Sequence, residues 1–139
     1  MQAMELEQAY RDLVARDAGM GRGLEKHARE RRRHPRFPVH TPDLTIDDLP
    51  EFRVRDVSAA GIGLTADFPL AEGDHVTVRL RDDLRTKAVV SHCKLVDCGR
   101  ESWAPLFYVG CSFADEGSGM ALVVTTKELE QEMLAQALA

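Results

Sequence analysis

The chain has 139 residues and a mass of 15.5 kDa, with 44% apolar and 29% charged residues and a formal net charge of -5 at pH 7. That length suits one domain burying about two-thirds of the surface its unfolded chain exposes, and the composition excludes an intrinsically disordered chain. The longest apolar run, Met120 to Val124, is far too short for a membrane span, and the N-terminus lacks the basic-then-apolar layout of a signal peptide, so a cytoplasmic protein is expected.

In chain order, the first segment, MELEQAYRDLVARDAGM, sets Leu6, Tyr10, Leu13 and Val14 at helical spacing among charges and predicts an amphipathic helix. Its apolar face needs a cover, which can be its own domain, a partner or a second copy of the chain. Gly19, Gly21 and Gly23 break the pattern, since each costs a helix about 1 kcal/mol relative to Ala. Residues 1–28 thus read as a helical extension with a glycine-rich hinge. The stretch RERRRHPRFP, residues 29–38, is an arginine-rich linker; a short helical piece, LEKHARERRR, is expected before Pro35, whose ring biases His34 away from the α region and ends any helix there.

From Val39 to Phe113 the texture changes. Six runs, HTPDLTI, EFRVRDVS, IGLTADF, HVTVRL, TKAVVSHCKLV and LFYVGCSF, alternate in polarity and are separated by turn signals. They predict a mainly β fold, a small six-stranded antiparallel barrel. A C-terminal helix follows over TTKELEQEMLAQAL, with Thr125 and Glu128 in the relation of a capping box and Leu129, Met133, Leu134 and Ala137 as its buried stripe; a start nearer Ser118 is the alternative. Residues 29–139 therefore read as linker, barrel and helix.

Two motifs carry chemistry. Arg22, Lys26, Arg29, Arg31, Arg32, Arg33 and Arg36 stand against only Glu25 and Glu30, focusing positive charge in an acidic chain. Arginine offers a rigid donor fork for phosphate oxygens and for the O6/N7 edge of guanine, and its plane can stack on a base. Arg32 and Arg36 are separated by three residues, with Pro35 limiting the linker's freedom; a solvated helix end is the plain alternative. Downstream, DVSAAG places Asp56 and Ser58 two apart, on one face of an extended backbone, before Gly61 permits a tight turn. A carboxylate is acceptor-only and suits the N1–H and N2–H donors of guanine, while a hydroxyl gives or accepts a neighbouring bond. An Asp/Ser turn between strands is the competing reading.

The arginine pair in RRRHPRFP, followed by DVSAAG at the start of a small barrel and later by YVGCSF, resembles the PilZ domain, the bacterial receptor for cyclic di-GMP. The likeness covers about residues 30 to 115 and the C-terminal helix. It implies a six-stranded barrel whose arginine linker wraps over the outer surface and clasps the ligand. By that resemblance Arg32 and Arg36 hold phosphates and guanine, Asp56 and Ser58 bind a guanine edge, and Gly61 shapes the turn. Arg31, directly before the pair, is similar to members that take up two intercalated nucleotides per chain. The resemblance does not reach Met1 through Gly23, so a stand-alone receptor with a helical extension is expected. It signals to an unidentified downstream protein, with a homodimer through the terminal helices as a further expectation.

Other readings compete. An enzyme is disfavoured: there is no Walker-type glycine loop, no HExxH, and no orienting partner or nucleophile near His34 or His40. No cofactor or metal is expected, because Cys93, Cys98 and Cys111 have no metal-like spacing. A nucleic-acid-binding module using the basic linker would bind with steep salt dependence, and a PilZ-fold adaptor would bind no nucleotide. Trp103 reads as a loop anchor, His92 and Cys93 as packing residues, Gly110 as a bulge or a close approach to a base, and Phe37 and Pro38 as fixing where the linker meets the barrel.

Overall fold

The computed structural model describes residues 3–19, 34–49, 51–98 and 105–138. Helix α1 (Ala3–Gly19) is followed by β1 (Phe37–Pro38), β2 (Leu44–Ile46), β3 (Phe52–Val57), β4 (Gly61–Ala66), β5 (His75–Leu80), β6 (Leu84–Cys98), β7 (Pro105–Phe113) and helix α2 (Glu116–Leu138). The strands form one antiparallel sheet in the order β1-β3-β4-β7-β6-β5-β2.

The chain forces this sheet to curl. Laid flat, its edge strands β1 and β2 would stand about 29 Å apart at the usual interstrand spacing. Yet only residues 39–43 join Pro38 to Leu44, a span of at most about 22 Å fully extended. The result is a half-barrel whose two edges approach each other. The mainly β class with flanking helices is as expected, but the strand count of six is corrected to seven. The added strand is β1, too short to show alternation; Pro38, which has no N–H, suits an edge position. Strand β2 is also shorter than HTPDLTI implied. The N–H groups of His40 and Thr41 point instead to Glu130 of α2, and Thr41 Oγ1 accepts from Asp43 N at 3.2 Å.

Alternating residues fill the half-barrel: Leu44, Ile46, Val54, Ile62, Leu64, Val78, Leu80, Val90 and Val109, with Leu122 and Leu129 of α2 closing the open side. A second cluster joins Tyr10 of α1 to Phe37, Val57, Ala59, Val123 and Val124, flanked by Leu6, Leu13 and Val14. The apolar face of α1 is thus covered by its own chain.

Helix α2 begins at Glu116, nine residues before Thr125, and the capping box proposed there is corrected to a mid-helix position. Asp115 caps the start, accepting Ser118 N–H at 2.8 Å and the Ser118 hydroxyl at 2.8 Å. Gly117 and Gly119 hid this first turn from propensity reasoning, and Met120 to Val124 shows no helical stripe because it is covered on two sides, by the sheet and by α1. The expected buried stripe is corrected as well. Leu129 is 7% exposed, but Met133 is 41% and Leu134 61% exposed, and the helix is solvated from 131 onward.

Candidate functional site

Arg31 and Arg32 lie outside the described residues, as do Trp103 and the helical piece expected before Pro35. The described part of the linker starts at His34, whose ring sits between two elements: Nδ1 is 3.3 Å from Tyr10 Oη on α1, and Nε2 is 3.3 Å from Glu116 Oε1 on α2. Three residues on, Phe37 turns inward and is buried, and Pro38 pairs with Asp56. This pairing directs Arg36 outward over the sheet. Its Nη1 donates to Tyr108 Oη at 2.8 Å and lies 3.8 Å from Asp56 Oδ1. The two side chains are 35% and 25% exposed, so the ion pair is open to solvent on one side and worth at most about 1 kcal/mol by itself. Such a pair gives way easily to a better-matched ligand.

Asp56 stands at the end of β3 beyond a register shift between Val54 and Asp56, which turns its carboxylate to the outer face while Val57 stays in the core. Ser58 lies past the strand end and is only 6% exposed. Its Oγ accepts the N–H groups of Ala60 and Gly61 at 3.2 Å each, and its own N–H donates to the Gly61 carbonyl at 2.8 Å. Gly61 opens β4 opposite Ser112, where a methyl group would fall on the Cys111 carbonyl oxygen. DVSAAG therefore builds a tight strand-to-strand turn as well as presenting an outward carboxylate.

The outer face next to Asp56 carries further residues, of which sequence reasoning named only His92, as packing, and Gly110, as a bulge or a close approach to a base. Directly paired positions run Asp56 on β3, Gly63 on β4, Gly110 on β7 and His92 on β6. The next row along the strands is Arg53, Thr65, Tyr108 and Lys94, with Arg53 and Lys94 exposed. The Tyr108 and His92 rings are stacked, centroids 5.6 Å apart and planes inclined by 27°. Gly110 lies under the His92 ring and Gly63 under the Tyr108 hydroxyl. The expectation that His92 packs inside is corrected: it is exposed, because the register shift between Val90 and His92 turns it outward, while Cys93 is half-buried. The bulge is on β6, not at Gly110. A glycine within each of two strand segments, GIG and VGC, was the available signal, and only the register reveals that Gly63 and Gly110 pair.

The site thus offers a guanidinium fork, a carboxylate acceptor and two flat rings. Among the described residues, no cluster of three His, Cys, Asp or Glu side chains could hold a metal ion, and no helix is long and apolar enough to cross a membrane.

This arrangement matches a known fold and sequence profile. The profile of the PilZ domain matches residues 30–125, from the arginine linker into α2. The chain belongs to the PilZ family. Among solved structures, its fold resembles the PilZ domain of YcgR from Escherichia coli with cyclic di-GMP, at 19% identity and a TM-score of 0.54 over 77% of this chain and 97% of that one. It also resembles the MrkH–cyclic di-GMP complex of K. pneumoniae, at 17% identity and a TM-score of 0.52. There the match covers 73% of this chain and 54% of MrkH, so this PilZ protein spans about half the length of that relative. No curated protein matches the sequence significantly.

Proposed function

We propose that this PilZ protein is a receptor for cyclic di-GMP that passes ligand binding to a downstream protein rather than transforming the nucleotide. The observation that carries the reading is the convergence of Arg36 and Asp56, 3.8 Å apart, on the outer face of the PilZ sheet. The solved YcgR and MrkH structures with cyclic di-GMP support the choice of ligand. Asp56 supplies the acceptor for the N1–H and N2–H edge of guanine, and Arg36, with Arg31 and Arg32 upstream, supplies forks for phosphates and the opposite edge. With its hydroxyl engaged in the turn, Ser58 acts together with Gly61 chiefly by shaping the backbone that presents Asp56. Arg31 supports two nucleotides per chain.

A handful of charge-assisted bonds at about 1.5–3 kcal/mol each, less the cost of ordering the linker, gives an expected Kd of about 1 µM. The output is argued from His34. Because it touches Tyr10 of α1 and lies two residues from Arg36, linker movement onto ligand alters the seat of α1. Such a shift requires contacts that differ between the free and bound states. Dimerisation through the terminal helices is a separate proposal, read by sedimentation with and without ligand.

Titration calorimetry at fixed salt tests the reading and reports stoichiometry. Arg36→Ala and Asp56→Ala should each weaken binding at least about tenfold, or 1.4 kcal/mol, without unfolding the sheet. Undiminished binding by both variants defeats the assignment. Binding of DNA or RNA that falls steeply with salt and shows no guanine preference would favour the nucleic-acid module instead.

A further inference from the structure

Strand β6 runs for 15 residues, but β5 lies beside only its first part. Their pairing ends at His75 and Val89, and Val90 is served by the connection before β5, donating to the Asp74 carbonyl and accepting from Gly73 N–H at 2.8 Å each. From Ser91 to Cys98, β6 pairs with β7 on one side and with no described strand on the other. Among the described residues this is the longest open edge, since the edge strands β1 and β2 have only two and three residues. Register shifts between Val90 and His92 and between Leu95 and Asp97 leave His92 to Leu95 as its regular stretch. Proteins commonly blunt such an edge with charge, yet this one is largely apolar: Leu95 is 55% exposed, Val96 51%, and Leu106 beside them on β7 40%. Lys94 is the one charged residue of the regular stretch. It is exposed and has no hydrogen-bond or ion-pair partner among the described residues.

We infer that the open edge of β6 at His92–Leu95 receives an extended segment of another protein as an added strand, and that this segment reads apolar–acidic–apolar. Unpaired backbone N–H and C=O groups in a row are matched by the same row on a second extended chain, so the edge itself selects the shape of its occupant. Side chains select the sequence. Lys94 lies on the outer face with Tyr108, its partner in β7, while Cys93 packs against the core and Leu95 follows it on the inner face. A residue of the added strand opposite Lys94 therefore faces outward, where a carboxylate pairs with the ammonium, and its two neighbours face inward beside Cys93 and Leu95. A second copy of this chain is a poorer occupant. Antiparallel pairing of two such edges sets same-facing residues opposite each other, which places Lys94 against Lys94 or His92, and the stretch contains no acid to neutralise it. The inference goes beyond the receptor reading, since it concerns contact with a partner protein and stands whether or not the chain binds nucleotide.

The test titrates the nucleotide-free full chain with two end-blocked peptides, STVEVTS and STVKVTS, and follows backbone amides by heteronuclear NMR. STVEVTS should bind with a Kd of about 1 mM or tighter and shift the amides of residues 91–96, leaving those of Phe37 and of Leu44 to Ile46 on the other edges in place. STVKVTS should bind at least about fivefold more weakly, and Lys94→Glu, an exposed substitution that leaves the fold intact, should reverse the order of the two. Backbone pairing has its own readout. Methylating alternate backbone nitrogens of STVEVTS should abolish binding for the set whose N–H groups face β6 and spare it for the other set. Amides of residues 91–96 that stay in place at about 5 mM STVEVTS, equal binding of the two peptides, or tolerance of both methylated sets would overturn the inference. So would self-association of the parent in sedimentation that moves the same amides, since the occupant would then be a second copy. Failure of cyclic di-GMP to bind leaves these outcomes unchanged and counts against the receptor reading alone.

Discussion

The glycines show how one residue type serves different ends within a few ångströms. At Gly61 and Gly119 an added methyl would strike backbone, the carbonyls of Cys111 and Ala59 respectively, so two elements would have to part. At Gly110 it would strike only the exposed His92 ring. Urea denaturation should therefore show Gly61→Ala and Gly119→Ala losing about 1–3 kcal/mol, the usual cost of overpacking, while Gly110→Ala stays near the parent. A second residue-scale expectation concerns thiol chemistry. Burial, with Cys93 adding to it, pushes the Cys111 thiol up to about 11. At pH 8 its thiolate is scarce, so a disulfide reagent should label Cys93 well before Cys111 in the folded protein, and Cys111 only on unfolding. The sequence made Arg36 and Asp56 legible because their chemistry is carried by residue type and spacing. Tyr108 and His92 were hidden, since a strand position does not show which neighbour lies beneath its ring.

At the scale of elements, the linker's junction with the sheet is held by one carboxylate. Glu130 of α2 accepts the N–H groups of His40 and Thr41 and pairs with Lys127 at 3.0 Å, while Lys127 reaches the Pro38 carbonyl. Burial pushes the Glu130 carboxyl up, but these hydrogen bonds and the Lys127 charge outweigh it and leave it below the ordinary glutamate value of 4.5. A carboxyl lowered in the folded state stabilises above its unfolded value, and that contribution is lost as pH falls through the folded value. Melting temperatures between pH 7 and pH 3 should thus show Glu130→Gln less stable than the parent near neutrality, with the gap closing on the acid side below about 4.5. Most elements were legible, α1 and the longer strands above all, because each displays its own period. The two misread elements share a cause. β1 is too short to show a period, and the first turns of α2 are covered on two faces, which erases the polar side that marks an amphipathic helix.

For the whole molecule, α1 matters because Tyr10 sits where the linker, the DVSAAG turn and α2 meet. It touches His34 of the linker, takes a backbone hydrogen bond from Ala59 in the DVSAAG turn, and packs in the cluster of Phe37, Val57, Val123 and Val124. Tyr10→Ala should cost about 3 kcal/mol in chemical denaturation, as expected for removing a buried aromatic, and Tyr10→Phe only about 1 kcal/mol from the lost hydroxyl contacts. Hydrogen exchange across α1 should then rise strongly in the first variant and little in the second. By itself the sequence determined the mainly β class, the two flanking helices, the glycine-rich turns and the residues with charge to offer. Local period and residue chemistry do not depend on what lies across the fold. Only the tertiary structure decided that the sheet stops at a half-barrel with α2 across its open side, that α1 is seated on α2 and the turn, and that two glycines from separate strands meet beneath two rings. Those outcomes depend on strand register and on the distance a five-residue connection can span. Both are relations between segments far apart in sequence, fixed only once the chain has closed on itself.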